Sequence, residues 1–337
     1  MAISLLPFSD EQRRVLVNLQ LHYEAWLEAE RAQAALPYGL QWKTVSGRDY
    51  LYQMRDRAGN GTSRGPRSPA TEAQFAAYTT AKAAAQQRAR SVGATLAETA
   101  SLYRALRRPM LPSPAAPILR EADRRGLLGS HLLVIGTNAM LAYALAAGGR
   151  IADVPDETQD FDLAWSATEP PTDPNPVWAM LKAVDATFTV NSERPFLARN
   201  AAAYEVELLA APSRLATMAR RDQPRPTGLP EQEWLLLGTR ISEVLVARDG
   251  SPARLVVPDP RWFALHKLWL AAQDKRDPRK RPKDARQGSA LLDIVWQHMP
   301  RFPLDDAFRA ALPVALQPHF AAWQAGRPAR NESWRRW

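Results

Sequence analysis

The sequence contains no cysteine, which excludes disulfide bonds, thiolate metal sites and cysteine nucleophiles, and fits a reducing compartment. Histidine is also scarce, and its five positions never fall at the spacing of zinc ligands. They are His22, His131, His266, His298 and His319. No Gly-x-Ser-x-Gly, Walker or Gly-x-Gly-x-x-Gly motif occurs. These absences argue against a zinc enzyme, an α/β-hydrolase and a Walker-type or dinucleotide-binding site.

A membrane-spanning segment is not expected either. Residues 126–149 carry no charge, and a stretch of this length is long enough to cross a bilayer as a helix. Polar and small residues interrupt it, however, and the apolar run before Gly136 is typical of a short buried strand. The first residues lack the basic start, long apolar run and cleavage site of a secretory signal. We therefore predict a cytoplasmic protein with no membrane contact.

Positive charge is in excess over negative charge. Forty-four Lys and Arg against 35 Asp and Glu give a formal net charge of +9, which favours contact with polyanions such as RNA, DNA or nucleotides. Hydrophobic residues make up 46% of the chain and charged residues 23%, as in an ordinary globular protein. A length of 337 residues predicts two or three domains.

Changes in composition divide the chain into three regions, 1–117, 118–212 and 213–337. The first is predicted to be helical with a β-hairpin. The second alternates apolar runs with helical patterns, as an α/β unit does. The third is basic and mainly helical.

The elements of the first region follow from periodicity and turn residues. Apolar residues at spacings of three to four predict a helix over Asp10–Ala35. Alternating residues followed by Gly-Asn-Gly predict a β-hairpin within Gly47–Pro66. An alanine-rich stretch predicts a helix over Ala70–Arg90, and four prolines within Pro109–Pro117 predict a linker.

Short strands and two helices are predicted for the third region. The strand candidates are Ile241–Ala247 and Ala253–Val257. Asp259 and the proline after it suit the first positions of a helix that continues past Trp269. Another helix is predicted over Ala285–Gln297.

The first motif that points to chemistry is a strand, a tight turn at Gly136-Thr137, and a helix over Ala139–Ala147. Such a turn presents backbone N–H groups and a small hydroxyl at a helix N-terminus, where phosphate is favoured. The same arrangement also occurs as an ordinary structural turn.

The second motif is a pair of aspartates, Asp160 and Asp162, at the start of an apolar strand. Residues two apart in a strand project from the same face. Two carboxylates placed so close together repel each other unless a cation lies between them. Mg²⁺ prefers a few carboxylate oxygens together with water and phosphate. The alternative is a solvated strand start with no ligand.

A third acid is expected from a neighbouring strand that contains Glu205 and Glu207. A pair of catalytic metal ions needs bridging and terminal carboxylate ligands. Glu207 is preferred because it directly precedes a buried pair of leucines, as Asp162 precedes Leu163. Glu205 is the reserve candidate, and both glutamates facing solvent is the alternative.

In this order, Gly136-Thr137, Asp160-x-Asp162 and a later acid resemble the nucleotidyltransferase superfamily of the DNA polymerase β type. The resemblance implies an α/β (α+β) fold with a mixed sheet. It also implies that the turn holds a triphosphate and that the three acids bind two Mg²⁺ ions, with Mn²⁺ as an alternative metal. Two departures are Thr where Ser is usual and Glu where Asp is usual.

The likeness extends to bacterial uncharacterised nucleotidyltransferase-fold proteins, related to toxin-type nucleotidyltransferases. It rests on Gly47-Arg48-Asp49-Tyr50, on the run Phe263 to Leu268 and on Lys283-Asp284. The resemblance implies that Lys267 contacts the triphosphate, that Lys283 and Asp284 line the nucleotide cleft, and that an antitoxin-like protein is a partner.

Between these motifs, six of the ten residues in 274–283 are Lys or Arg. Beside a phosphate cleft they would attract a triphosphate tail or an RNA backbone, whereas the alternative is a solvated loop. The predicted activity is Mg²⁺-dependent transfer of a nucleoside monophosphate from an NTP, with RNA narrowly preferred as acceptor over protein or a small molecule. The competing interpretation is an inactive module of the same fold that binds RNA or a protein partner.

Overall fold

The computed structural model describes residues 5–56, 58–106, 108–152 and 160–327. Strands and helices are numbered separately along the chain. The strands are β1 (Leu5–Pro7), β2 (Gly39–Val45), β3 (Arg48–Met54), β4 (Gly61–Pro66), β5 (Leu132–Val134), β6 (Gly149–Ile151), β7 (Asp160–Trp165), β8 (Thr189–Val190), β9 (Leu197–Arg199), β10 (Glu205–Ala210), β11 (Thr227–Gly228), β12 (Ile241–Val246) and β13 (Pro252–Val257).

The helices alternate with these strands over much of the chain. They are α1 (Asp10–Ala35), α2 (Pro69–Ala105), α3 (Ala115–Arg124), α4 (Ala139–Ala146), α5 (Pro176–Val184), α6 (Pro260–Ala271), α7 (Arg281–His298), α8 (Asp306–Ala310) and α9 (Gln317–Gly326). Two 3₁₀ segments lie at Pro212–Thr217 and Pro230–Leu236. Within the described ranges, no helix is both long and apolar enough to cross a membrane.

Contacts group the chain into two compact units, one of residues 18–99 and one of residues 1–17 with 100–337. In the first unit, β2, β3 and β4 form an antiparallel sheet, so the predicted hairpin has a third strand. The long helices α1 and α2 supply the rest of this unit. The predicted division at residues 117 and 212 stays a prediction.

The second unit contains a six-stranded sheet with the order β5-β7-β10-β9-β8, and β11 pairs with β10. β7 and β10 are parallel, whereas β5 and β9 run antiparallel to their neighbours, so the sheet is mixed. Apolar side chains of the two central strands pack into the core because alternate residues face inward. The fully or almost fully buried ones are Phe161, Leu163, Trp165, Val206 and Leu208.

Most elements predicted from periodicity are confirmed, and three differ in extent or role. α2 continues to Ala105 rather than Arg90, since alanine-rich sequence keeps favouring helix. α7 begins at Arg281, four residues before the predicted start. The predicted linker connects α2 to α3, which begins at Ala115, and it is partly packed: Leu111 is buried and its N–H donates to the carbonyl of Val246 at 3.1 Å.

Candidate active site

Four carboxylates project from one face of the paired strands β7 and β10. The two strands run parallel, with Glu205 opposite Asp160 and Glu207 opposite Asp162. Residues two apart share a face, and directly paired residues of neighbouring strands point the same way. The residues between them are buried in the core, which fixes the acidic face on the other side of the sheet. The pairing therefore places the carboxylate of Glu205 beside that of Asp160, and the carboxylate of Glu207 beside that of Asp162.

The turn after β5 lies directly against Asp162. The N–H of Ile135 donates to the carbonyl of Asp162 at 3.0 Å. Gly136 has a positive φ of 67°, and a Cβ at this position would lie only 2.8 Å from Asp162 Cγ and overlap its carboxylate. Only glycine therefore fits between the turn and the aspartate.

The residues after Gly136 are buried and joined to β7. Thr137 is 6% exposed and Asn138 is fully buried. The amide of Asn138 donates to the carbonyl of Asp160 at 3.4 Å, at the start of α4. The turn and the aspartate strand thus form one unit. Phosphate binding by Gly136 and Thr137 stays a prediction.

A buried cluster of charges connects α6, α7 and the loop between them, residues 272–280, called here the basic loop. Nζ of Lys267 lies 2.8 Å from Oδ1 of Asp284, and Arg276 donates to Oδ2 of the same carboxylate from Nε at 2.8 Å and Nη2 at 2.7 Å. The side chains of Lys267 and Asp284 are only 6% and 3% exposed. Asp284 therefore holds two cations in place, and its direct contact with a nucleotide stays a prediction.

Close packing of α6 on α7 positions this cluster. Gly288 of α7 leaves room for the helix backbone, since a Cβ there would lie 2.7 Å from the carbonyl oxygen of Ala264. Lys267 lies over the ring of Phe263, with Nζ 5.7 Å from the ring centroid. The ammonium of Lys267 is in turn close enough to Asp162 to lower the pKa of that carboxyl.

The basic loop sends some of its cations into the site and others to solvent. Lys280 lies 3.6 Å from Oδ2 of Asp160, and Arg276 is bound to Asp284. Arg279 is 91% exposed and pairs with Asp277 within the loop. Some cations of the loop therefore lie at the cleft and others in solvent, and attraction of a triphosphate or an RNA backbone stays a prediction. Lys283 is half-buried, and its pKa is lowered by burial and by the charge of Lys267.

These elements enclose a cavity of 190 Å³, called here the acidic cleft. Five of the residues predicted from the sequence line it. They are Gly136, Asp160, Asp162, Glu207 and Lys267. Thr137, Lys283 and Asp284 are not lining residues. The cleft also contains residues that periodicity did not single out as ligands. They are Glu231, Gln232 and His266. Arg276 and Lys280, from the basic segment 274–283 that was predicted to lie beside the cleft, line it too.

A profile of a nucleotidyltransferase family matches residues 113–313, which is more than half of the chain. The chain belongs to this nucleotidyltransferase family. The match includes every residue that lines the acidic cleft. Together with the mixed sheet, it confirms the predicted fold class and the nucleotidyltransferase superfamily.

The chain is also similar to a protein of solved structure. Its structure is similar to the crystal structure of an antigenic nucleotidyltransferase-like protein from Paracoccidioides brasiliensis, with 18% identity and a TM-score of 0.36. The match covers 65% of the present chain and 92% of the other. A TM-score this low supports no inference about the site. A search of curated proteins found no match.

Negative charge in the cleft is not fully compensated. Burial, and then the charges of Asp160 and Glu207, raise the pKa of Asp162 to about 7. Burial and the charge of Asp160 also raise the pKa of Glu207, against the opposing effect of Lys280. The cleft therefore favours either a proton or a bound cation beside these carboxylates.

The donor chemistry of these acids fits Mg²⁺ that arrives with a nucleotide. Across the described ranges, no group of three or more His, Asp or Glu side chains is arranged closely enough to hold a metal ion. Mg²⁺ needs only one or two protein carboxylates when water and phosphate oxygens complete its ligands. Asp162 and Glu207, opposite each other on parallel strands, are such a pair, with Asp160 beside them.

The raised pKa of Asp162 makes the stability of the metal-free protein depend on pH. Between about pH 4, the pKa range of an unperturbed aspartate, and pH 7, the folded protein keeps a proton that the unfolded chain has lost. Folding free energy is therefore lost as pH rises through this window. In EDTA at pH 8 we expect Asp162→Asn to melt at a higher temperature than the wild type, because its free energy of unfolding should be larger by roughly 1–3 kcal/mol.

Thermal melts in EDTA at pH 5, 6, 7 and 8 measure this difference. It should be small at pH 5 and grow towards pH 8. A difference that stays constant over the series would contradict the assignment of the raised pKa to Asp162.

Proposed function

We propose that this protein transfers a nucleoside monophosphate from an NTP to an acceptor hydroxyl in a Mg²⁺-dependent reaction. The observation that carries the proposal is the pairing of Asp162 with Glu207 beside the Gly136 turn and near Lys267. This arrangement puts carboxylates that suit a metal next to cations that suit phosphate oxygens. Membership of the nucleotidyltransferase family supports the same reaction class.

Each residue of the cleft has a role in this proposal. Asp160, Asp162 and Glu207 would hold Mg²⁺, which stabilises charge at the α-phosphate and lowers the pKa of the acceptor hydroxyl. Lys267, fixed by Asp284, donates to the phosphate oxygens. Gly136 leaves open the space beside Asp162 that a side chain would fill.

The chemistry is one displacement at phosphorus. The acceptor oxygen bonds to the α-phosphorus, the bond from that phosphorus to the oxygen bridging the β-phosphate breaks, and pyrophosphate leaves. The hydroxyl proton passes to a carboxylate of the cleft. Arg276 and Lys280 offset the charge of the departing pyrophosphate.

RNA is the acceptor that we prefer. A net charge of +9 favours a polyanion, and exposed Arg279 with half-exposed Lys280 extends positive charge from the cleft to solvent. A protein side chain or a small molecule would use the same cleft without needing this surface charge. Action in the cytoplasm, a bacterial toxin-type role and an antitoxin-like partner belong to this proposal as predictions from the resemblance.

The test is incubation of the purified protein with Mg²⁺, each α-labelled NTP in turn, and total RNA or cell extract, with Asp162→Ala as the control. Label in RNA that depends on Mg²⁺ and on Asp162 supports the proposal. Label in protein or in a small molecule supports the chemistry but overturns RNA as acceptor. An NTP that binds equally well without Mg²⁺ and to Asp162→Ala, with no transfer, would indicate the inactive binding module.

The choice between Glu207 and Glu205 can be tested with the same amide substitution at each position. Glu207 lines the cleft, whereas Glu205, at the start of β10, lies 3.9 Å from both Arg194 and Arg199. We expect Glu207→Gln to lower the transfer rate by on the order of 100-fold, as for loss of one group that stabilises transition-state charge. Glu205→Gln should change it less than about threefold, as for loss of an exposed ion pair.

Initial rates under saturating NTP and Mg²⁺ measure both variants. The reverse order of effects would make Glu205 the third acid.

A further inference from the structure

Charged and uncharged side chains both line the acidic cleft, and one face of α6 carries residues of both kinds. Phe263, His266, Lys267 and Leu270 line it at spacings of three, one and three residues, so they share that face. The positive charge of Lys267 lowers the pKa of both Asp162 and His266. The ammonium of Lys267 is therefore near both Asp162 and the imidazole of His266.

Two side chains that line the cleft carry buried polar atoms with no hydrogen-bond partner among the described residues. His266 is 4% exposed and Gln232 is 3% exposed. Among the residues that the structure describes, Nδ1 and Nε2 of His266 and Oε1 of Gln232 accept or donate no hydrogen bond. Both side chains line the cleft. Buried polar atoms are almost always paired, so their grouping in one cavity indicates a missing ligand.

The hydrogen-bonding groups of His266 and Gln232 do not match phosphate. Burial and the charge of Lys267 lower the pKa of His266 to about 3, so the imidazole is neutral and offers one donor and one acceptor. Oε1 of Gln232 can only accept a hydrogen bond. Phosphate oxygens at neutral pH are acceptors too and carry negative charge, and they cannot satisfy this amide oxygen.

The walls around these polar atoms are apolar. Leu235 and Leu270 line the same cavity as Gln232 and His266. Trp234 packs edge-on against the imidazole, with ring centroids 6.3 Å apart, and fixes its orientation. A flat ring with donors and acceptors on its edge suits such surroundings. A volume of 190 Å³ is below the roughly 300–1,000 Å³ of sites that enclose drug-sized ligands, so the cavity would enclose only part of an NTP.

We propose that His266 and Gln232 bind the nucleobase edge of the NTP and determine which base the protein accepts. The triphosphate would then extend past Lys267 towards the carboxylates. The proposal rests on the proposed function, because it assumes that an NTP occupies the cleft.

The experiment compares NTPs with a ligand that lacks a base. Isothermal titration calorimetry in Mg²⁺ gives the Kd of ATP, GTP, CTP, UTP and inorganic tripolyphosphate for the full chain. The same series is measured for His266→Leu and Gln232→Met, which remove polar atoms at similar volume, and for Lys267→Met. Thermal melts establish that each variant is folded. Gln324→Met is the matched control, since Gln324 lies outside the acidic cleft.

The wild type should bind at least one NTP about tenfold more tightly than tripolyphosphate and should discriminate among the bases. His266→Leu and Gln232→Met should each weaken the preferred NTP by about tenfold, the effect of one lost buried hydrogen bond, and leave tripolyphosphate unchanged. Lys267→Met should weaken all five ligands.

Equal Kd values for every NTP and tripolyphosphate would overturn the nucleobase site while leaving the proposed function intact. Weakening of tripolyphosphate by His266→Leu as large as that of the NTPs would also overturn it, because the imidazole would then contact phosphate. Failure of all five ligands to bind the wild type would overturn both proposals.

Discussion

Replacing Asp162 by asparagine should lower the rate of nucleotide transfer by at least about 100-fold. Asp162 lies at the centre of the site, with Gly136 packed against its carboxylate, Glu207 opposite it on β10 and Lys267 nearby. Asparagine keeps the shape but removes the negative charge that a metal ion requires. Loss of one group that stabilises charge in a transition state typically costs on the order of 10²–10³-fold in rate.

Steady-state rates of label incorporation at saturating Mg²⁺ measure this loss. Asp306→Asn is the matched control, because its side chain is 95% exposed and pairs only loosely with Arg309 at 3.8 Å. The control should keep the wild-type rate. The loss at Asp162 should occur without loss of stability, since the carboxylate is unfavourable in the metal-free fold. If Asp162→Asn keeps its activity within about threefold of the wild type, the charge of Asp162 takes no part in the reaction.

How far the sequence predicts this site depends on whether the structural rule is local. The shared face of Asp160 and Asp162 follows from alternation within one strand, and the position of Gly136 follows from a strand, turn and helix pattern. The pairing of Glu207 with Asp162 is different. They are 45 positions apart, and α5, β8 and β9 lie between, so the register depends on the packing of the whole sheet.

The positions of Arg276, Gln232 and His266 in the cleft could not be predicted from the spacing of residues in the sequence. Arg276 and Arg279 are alike in sequence context, yet one binds buried Asp284 and the other faces solvent. Only the path of the loop separates them. Gln232 comes from a 3₁₀ segment with no periodic pattern, and His266 has the burial expected of a core residue. Their partnerless atoms become informative only when the cavity around them is known.

Replacing Asp284 by asparagine should destabilise the protein by about 3–5 kcal/mol, the usual cost of removing one partner from a buried ion pair. Asp284 is 3% exposed and accepts from both Lys267 and Arg276. Its loss leaves the ammonium of Lys267, itself 6% exposed, without a counter-charge. For a unit of this size the melting temperature should fall by about 10 °C. NTP affinity should fall too, because Lys267 is no longer held beside the carboxylates.

Differential scanning calorimetry measures the change, and Asp274→Asn is its matched control. Asp274 lies in the same basic segment but is fully exposed and 3.6 Å from Arg281, so its loss should change stability by less than about 0.5 kcal/mol. Lys267→Met should be milder than Asp284→Asn, since Arg276 still pairs with the carboxylate. The double variant Lys267→Met/Asp284→Asn should be more stable than Asp284→Asn alone, because the unpaired ammonium is gone. Additive effects of the two substitutions would instead mean that the two side chains are not energetically coupled.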